Sequence, residues 1–109
     1  MDFQLTEYKR CTVIKAEGRF DSLTASELEK KLTDLVPSGK DIVLDMTGIT
    51  FVSSAGWWAI IKAQKELKKR NRDLVLVNIN ENVKDSMDLI GILPYFTVYE
   101  NLVDALGNL

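Results

Sequence analysis

DIVLDMTGITFVSSAGWWAIIKAQKELKKRNRDLVLVNI, residues 41 to 79, carries the pattern that decides the fold. Its first six residues, DIVLDM, are a short apolar run rich in β-branched side chains, as expected of a strand buried on both faces. TGIT (47–50) then reads as a turn. From Ala55 the period changes to that of a helix: Ile60, Ala63 and Leu67 share one stripe, Trp57, Ile61 and Gln64 lie beside it, and Lys62, Lys65 and Lys69 mark the wet face. RDLVLVNI returns as a second apolar strand over 73–79. Strand, helix and strand in this order predict a right-handed crossover between parallel strands.

Within that unit, FVSSAGWW (51–58) sets two serines and an Ala-Gly pair between an apolar run and two adjacent tryptophans. The loop leaving the carboxyl end of a strand is where such folds present functional groups, and SSAG occupies it. Ser54 stands where a helix N-cap is expected, its hydroxyl accepting from a free N–H of the first turn, while Ala55 and Gly56 keep the approach open. On these residues alone, a capped helix and a functional loop both account for the pattern.

Toward the N-terminus, FQLTEY and CTVIKAEG are two β-like runs separated by Lys9 and Arg10, which predicts a hairpin. In LTASELEKKLTDLVPSG, Ala25, Leu28, Leu32, Leu35 and Val36 fall at helical spacing. Thr24 and Glu27 have the spacing of a capping box, and Pro37 and Gly39 end the helix. Toward the C-terminus, NVKDSMDLIG carries Val83, Met87 and Ile90 at helical spacing, YFTVYE is a last short strand and NLVDALGNL a last helix. The expectation is an α/β fold in one domain over residues 1–109, a mixed sheet with a parallel core built of about five strands and four helices.

The balance of 14 Lys+Arg against 16 Asp+Glu leaves no basic excess for phosphates, so direct nucleic-acid binding is not expected. The basic run Lys68 to Arg72 reads as a helix end whose cations meet the negative pole of the dipole. Cys11 cannot form an internal disulfide, and in CTVIKA it reads as a small buried hydrophobe, which fits a reducing compartment. The first residues lack the apolar core of a signal peptide and no run approaches the roughly 18 apolar residues of a membrane span, so a cytoplasmic location without membrane insertion is expected. There is no His, no Cys pair, no GxxxxGK[ST] and no GxGxxG. That removes the usual general base, metal-ligand sets and phosphate loops, so no enzyme activity, cofactor or metal is expected.

GRFDSLTASELEKKL, DIVLDMTGITFVSSAGWWAII, RDLVLVNINENVKDSMDLIGI and FTVYENLVDAL together resemble the STAS domain, specifically a bacterial anti-sigma-factor antagonist. The most specific pieces are Gly18-Arg19-Phe20-Asp21, similar to that family's Gly-Glu-Leu-Asp turn, and Thr50 to Gly56, similar to its phosphorylation loop. The resemblance implies that Ser54 is the serine phosphorylated by a partner anti-sigma factor, itself an ATP-using serine kinase. It implies further that the unphosphorylated chain binds that partner and frees a sigma factor, and that a serine phosphatase resets the switch. Asp21, Ser53, Ser54, Ala55, Gly56 and Trp58 are the partner-binding residues so expected.

Three departures from the family pattern stand out. Ser53 replaces the Asp that precedes the target serine, Ala55 replaces the second hydroxyl residue, and Trp57 and Trp58 stand where a leucine-like and a small residue are usual. Helical spacing puts Trp57 in the core and leaves Trp58 exposed, either as a partner hot spot or lying across its own helix. Asp21 is either a turn residue bonded to its own backbone or part of partner recognition. The alternative within the family is an accessory STAS subunit of a lipid-transport or sensory complex, in which the serine is not a phosphoswitch; the alternative outside it is a small-ligand-binding domain or enzyme, for which Ser53 and Ser54 lack a His base.

Overall fold

The computed structural model describes residues 2–109. Strands β1 (Phe3–Glu7) and β2 (Cys11–Phe20) form the hairpin. Helix α1 (Ala25–Leu35), strand β3 (Asp41–Val52), helix α2 (Ser54–Lys69), strand β4 (Leu74–Val77), helix α3 (Glu81–Leu89), strand β5 (Thr97–Tyr99) and helix α4 (Leu102–Gly107) follow. The strands lie in the sheet in chain order; β1 pairs antiparallel with β2, and every later pair is parallel. This is the mixed sheet with a parallel core that the residue pattern predicts.

The period-two alternation of the strands explains why the sheet is covered on both sides. Ile14, Ile42, Leu44, Leu74 and Leu76 point to one face, where they are buried with Leu28 and Leu32 of α1, Ile60 and Leu67 of α2, and Val83 and Met87 of α3. Cys11, Val13, Val43, Val75 and Val77 point to the other, under Ala105 of α4 and its neighbours Leu102 and Leu106. Cys11 is thus the small buried hydrophobe it was expected to be.

TGIT is not a turn. β3 runs on to Val52, and its twelve residues pair with the ten of β2 through two register shifts, one between Lys15 and Glu17 and one between Gly18 and Arg19. Each bulge inserts an extra residue in β3 and swaps the faces, so Ile49 and then Val52 both turn toward the helix-side core. Gly48 permits the first bulge, since a Cβ there would lie 2.5 Å from Glu17 Cγ and 3.3 Å from its Cα. Turn-type residues inside a strand are here the signal of a bulge rather than of a turn.

Two further boundaries move for local reasons. β4 is shorter than 73–79 because Asn78 adopts a left-handed φ of 59° and stops the ladder. Asn80 then caps α3 through the Val83 amide and donates to the Ile49 carbonyl, tying that helix to β3. Thr24 sits at the N-cap of α1 but makes no side-chain cap bond, so the capping box does not form: its hydroxyl donates to the Arg19 carbonyl at 2.6 Å instead.

α2 is amphipathic as predicted, with Ile60, Ala63 and Leu67 buried and Lys62, Lys65 and Lys69 exposed. Truncating the fully buried Ile60 to Ala should therefore cost about 2–5 kcal/mol, against less than about 0.5 kcal/mol for Lys65→Ala on the same helix. Urea denaturation of the two variants measures the difference, and equal midpoints would contradict the assignment of faces.

Candidate partner-binding site at the start of helix α2

The site forms where the carboxyl ends of β2 and β3 meet α2. Phe20 and Val52 are neighbours across the ladder, and the Ser53 amide extends it by donating to the Phe20 carbonyl at 2.7 Å. Ser53 then leaves the strand with extended backbone angles and accepts a hydrogen bond at its Oγ from the Gly56 amide, 3.2 Å away, while its carbonyl accepts the first helical bond from Trp57. Ser53 is therefore the N-cap, and the assignment of that role to Ser54 is corrected by one residue. The reason is geometric: a cap needs extended backbone angles, and the strand persists to Val52, so the first residue after it takes the role.

Ser54 becomes the first residue of the helix proper. It is exposed, and its hydroxyl makes no hydrogen bond among the described residues. The amides of Ser54 and Ala55 precede the first intrahelical bond, so they have no partner within the helix and face the same side as the positive end of the dipole. Gly56 is small for a steric reason: a Cβ at that position would fall 2.8 Å from the Phe20 carbonyl oxygen and 2.9 Å from both Phe20 Cβ and Val52 Cγ1. Only glycine lets the helix start this close to the end of β2. Trp57, next along, is buried and packs on Phe96 with ring centroids 5.9 Å apart. Trp58 is 65% exposed, so the two rings separate as helical spacing predicts.

Asp21 follows Phe20 and lies beside this junction. Its Oδ1 accepts from the amides of Leu23 and Thr24, at 2.9 and 3.2 Å, which makes it the turn residue of one of its two readings. The Leu23 amide, then the Thr24 bonds and the Arg19 guanidinium, hold its carboxyl below the usual range. Ser22, Ala55 and Trp58 line one groove, so the turn and the helix start share a surface.

Sequence reasoning missed two exposed apolar side chains that flank the turn and the helix start along the chain. Leu23 is 84% exposed, and Phe51, also exposed, lies under the Arg19 guanidinium with Cζ 4.4 Å from the ring centroid. The position of Leu23 outside the stripe of α1 was a readable signal; the stacking depends on the second bulge, which sequence does not register. Among the described residues no group of His, Cys, Asp and Glu is arranged to hold a metal ion. No helix among them is long and apolar enough to cross a membrane.

The STAS domain family model matches residues 2–105. The chain belongs to the STAS family. BtrV of Bordetella bronchiseptica, named as an anti-sigma factor antagonist, is 30% identical over 83 residues, which cover 75% of this chain and 72% of BtrV. An anti-sigma factor antagonist from Mycobacterium paratuberculosis has a crystal structure that superposes with a TM-score of 0.87 at 22% identity, covering 98% of this chain and 92% of that one. The Bacillus cell-fate determinant SpoIIAA, in its phosphorylated form, superposes with a TM-score of 0.72 at 20% identity, covering 98% of both chains. The structure of SpoIIAA in its unphosphorylated form gives 0.74 at 16% identity, covering 98% of this chain and 96% of that one.

The division of labour between the serines of this STAS domain makes a direct prediction. Ser53→Ala removes the cap and should cost about 0.5–2 kcal/mol, whereas Ser54→Ala removes an uncommitted hydroxyl and should stay within about 0.5 kcal/mol of the parent. Thermal and denaturant unfolding of both variants measure it, and the reverse order would restore Ser54 as the cap.

Proposed function

We propose that this chain is an anti-sigma-factor antagonist, a protein-binding switch rather than an enzyme. Unphosphorylated, it sequesters an anti-sigma factor with serine kinase activity and so frees a sigma factor. Phosphorylation of Ser54 by that partner releases the complex, and a serine phosphatase resets it. The observation that carries this reading is the exposed Ser54 hydroxyl, free of any bond among the described residues, on the first residue of α2. A kinase can reach this group without dismantling the helix cap, which Ser53 supplies. Ser53 supplies the cap where the family pattern has an Asp, and since Ser and Asp are about equally good N-caps the helix start is kept.

A phosphate on Ser54 adds about −1.5 to −2 charges where free amides and the dipole favour an anion by roughly 0.3–1 kcal/mol. The fold accepts it. A partner surface shaped for a neutral hydroxyl meets instead a hydrated dianion, and burying that charge without a matching cation costs several kcal/mol. Trp58 and Asp21 complete the binding face on this reading, Trp58 as its exposed aromatic anchor.

The test is a parallel capture from the native lysate with wild type and Ser54→Asp, followed by phosphopeptide mapping after incubation with the captured kinase and ATP. Wild type should retain a kinase-type partner that Ser54→Asp does not, and phosphate should appear on Ser54. Equal capture, phosphate confined to Ser53, or no phosphate at all would contradict the switch and favour an accessory STAS subunit of a lipid-transport or sensory complex.

A further inference from the structure

The charge of the molecule is divided unevenly. Residues 54–72 carry six cations, Lys62, Lys65, Lys68, Lys69, Arg70 and Arg72, against the single acid Glu66; elsewhere eight basic residues face fifteen acidic ones. All six lie on the surface of α2 or just beyond its end, and all are exposed. One turn from Ser54, at the near end of this basic segment, lies a groove of about 660 Å³ between α1 and α2; farther along, Lys69 is paired with Glu66 at 3.1 Å. Trp58, Ile61 and Ala25 give the groove apolar walls, and Lys62, Lys65 and the acid Glu29 stand along it. Lys62 is engaged, its Nζ 2.6 Å from Glu29 Oε1. Lys65 has no ion pair among the described residues.

We infer that this groove is the seat of an acidic, amphipathic segment of the protein partner, one apolar side chain entering beside Trp58 and carboxylates meeting Lys65 and the cations beyond it. The inference rests on the reading that a protein partner sits against the Ser54 face. Two features select this occupant. The field of a segment with six cations and one acid attracts acidic surfaces and repels the basic ones that the rest of the chain would favour. The apolar walls line an open groove between two helices rather than a convex face, so the side chains of a docked segment enter it and a flat bilayer does not. The same arrangement deepens the proposed switch: a phosphate on Ser54 sits at the end of this basic face, offsets its field and opposes the carboxylates of the incoming segment.

The probe is a synthetic amphipathic peptide of about 18 residues, long enough to be helical in water, with leucines on one face flanked by glutamates. A second peptide has lysine at every glutamate. Binding is followed through the indole N–H resonance of Trp58, with that of buried Trp57 as internal reference. The acidic peptide should move Trp58 and the amides of residues 58–65. Its affinity should fall as ionic strength rises from about 0.01 to about 0.15 M, over which the screening length shrinks from about 30 to about 8 Å. It should fall roughly tenfold or more in Lys65→Glu, an exposed substitution that spares the fold, and should fall again on phosphorylation of Ser54.

Equal binding of the basic peptide, indifference to Lys65→Glu, or no response to the acidic peptide would overturn the inference. So would a Trp58 response only to phosphatidylserine vesicles, which assigns the face to a membrane, or a response to dilution of the protein alone, which assigns it to a second copy. The two readings fail separately: a chain that its kinase phosphorylates on Ser54 but that, unmodified, ignores the acidic peptide keeps the switch and loses this seat, and the converse result keeps the seat.

Discussion

The close approach of α2 to the end of β2 is the constraint on which the site depends. The Ser53 amide is bonded to the Phe20 carbonyl at 2.7 Å, and Gly56 lies so near that carbonyl that no side chain fits between them. These contacts join the last residue of one parallel strand to the first turn of the helix that follows its neighbour. Phe20 and Val52 are buried beneath them, so the junction is anchored in the core rather than suspended in a loop. Everything exposed around it, namely Ser54, Ala55, Trp58 and the Asp21 turn, inherits a fixed position from that anchor.

Rigidity of this kind suits a switch that works by surface chemistry. The helix start already presents unpaired amides and the positive end of its dipole, so an added phosphate meets a favourable field and demands no rearrangement. The turn opposite is equally fixed, with the Asp21 carboxylate held by the Leu23 and Thr24 amides and the Thr24 hydroxyl tied back to Arg19. On this account the modification changes what a partner meets and leaves the scaffold that presents it as it was.

Much of this was legible in the residues because the strands and helices obey their periods cleanly. LVLV in β4, a run of four apolar residues between polar flanks, reads as a strand with both faces covered, and the spacing of Ile60, Ala63 and Leu67 decides which side of α2 is buried, and with it the fates of Trp57 and Trp58. What was not legible lies where two chain segments must be placed side by side. The bulges in β3 exist only relative to β2, so Thr47 and Gly48 looked like a turn. Once the strand was read as ending early, the helix cap was placed one residue late, on Ser54. Thr24 shows the same limit: its spacing to Glu27 fits a capping box, but its hydroxyl is spent on the Arg19 carbonyl, a contact set by how the turn folds back. The stacking of Arg19 on Phe51 is a cross-strand relation that follows the second bulge and leaves no trace in local pattern.

The central claim is that a phosphate on Ser54 acts at the surface and leaves the fold intact. Backbone amide chemical shifts of the unmodified protein and of the protein phosphorylated on Ser54 test it most directly. The account predicts changes confined to residues 53–58 and the adjoining 20–24 turn, with the amides of Ser54 and Ala55 moving most as they meet the anion. Shift changes spread through β3, β4 and the far helices, or a melting temperature lowered by many degrees, would contradict it even if partner binding were lost.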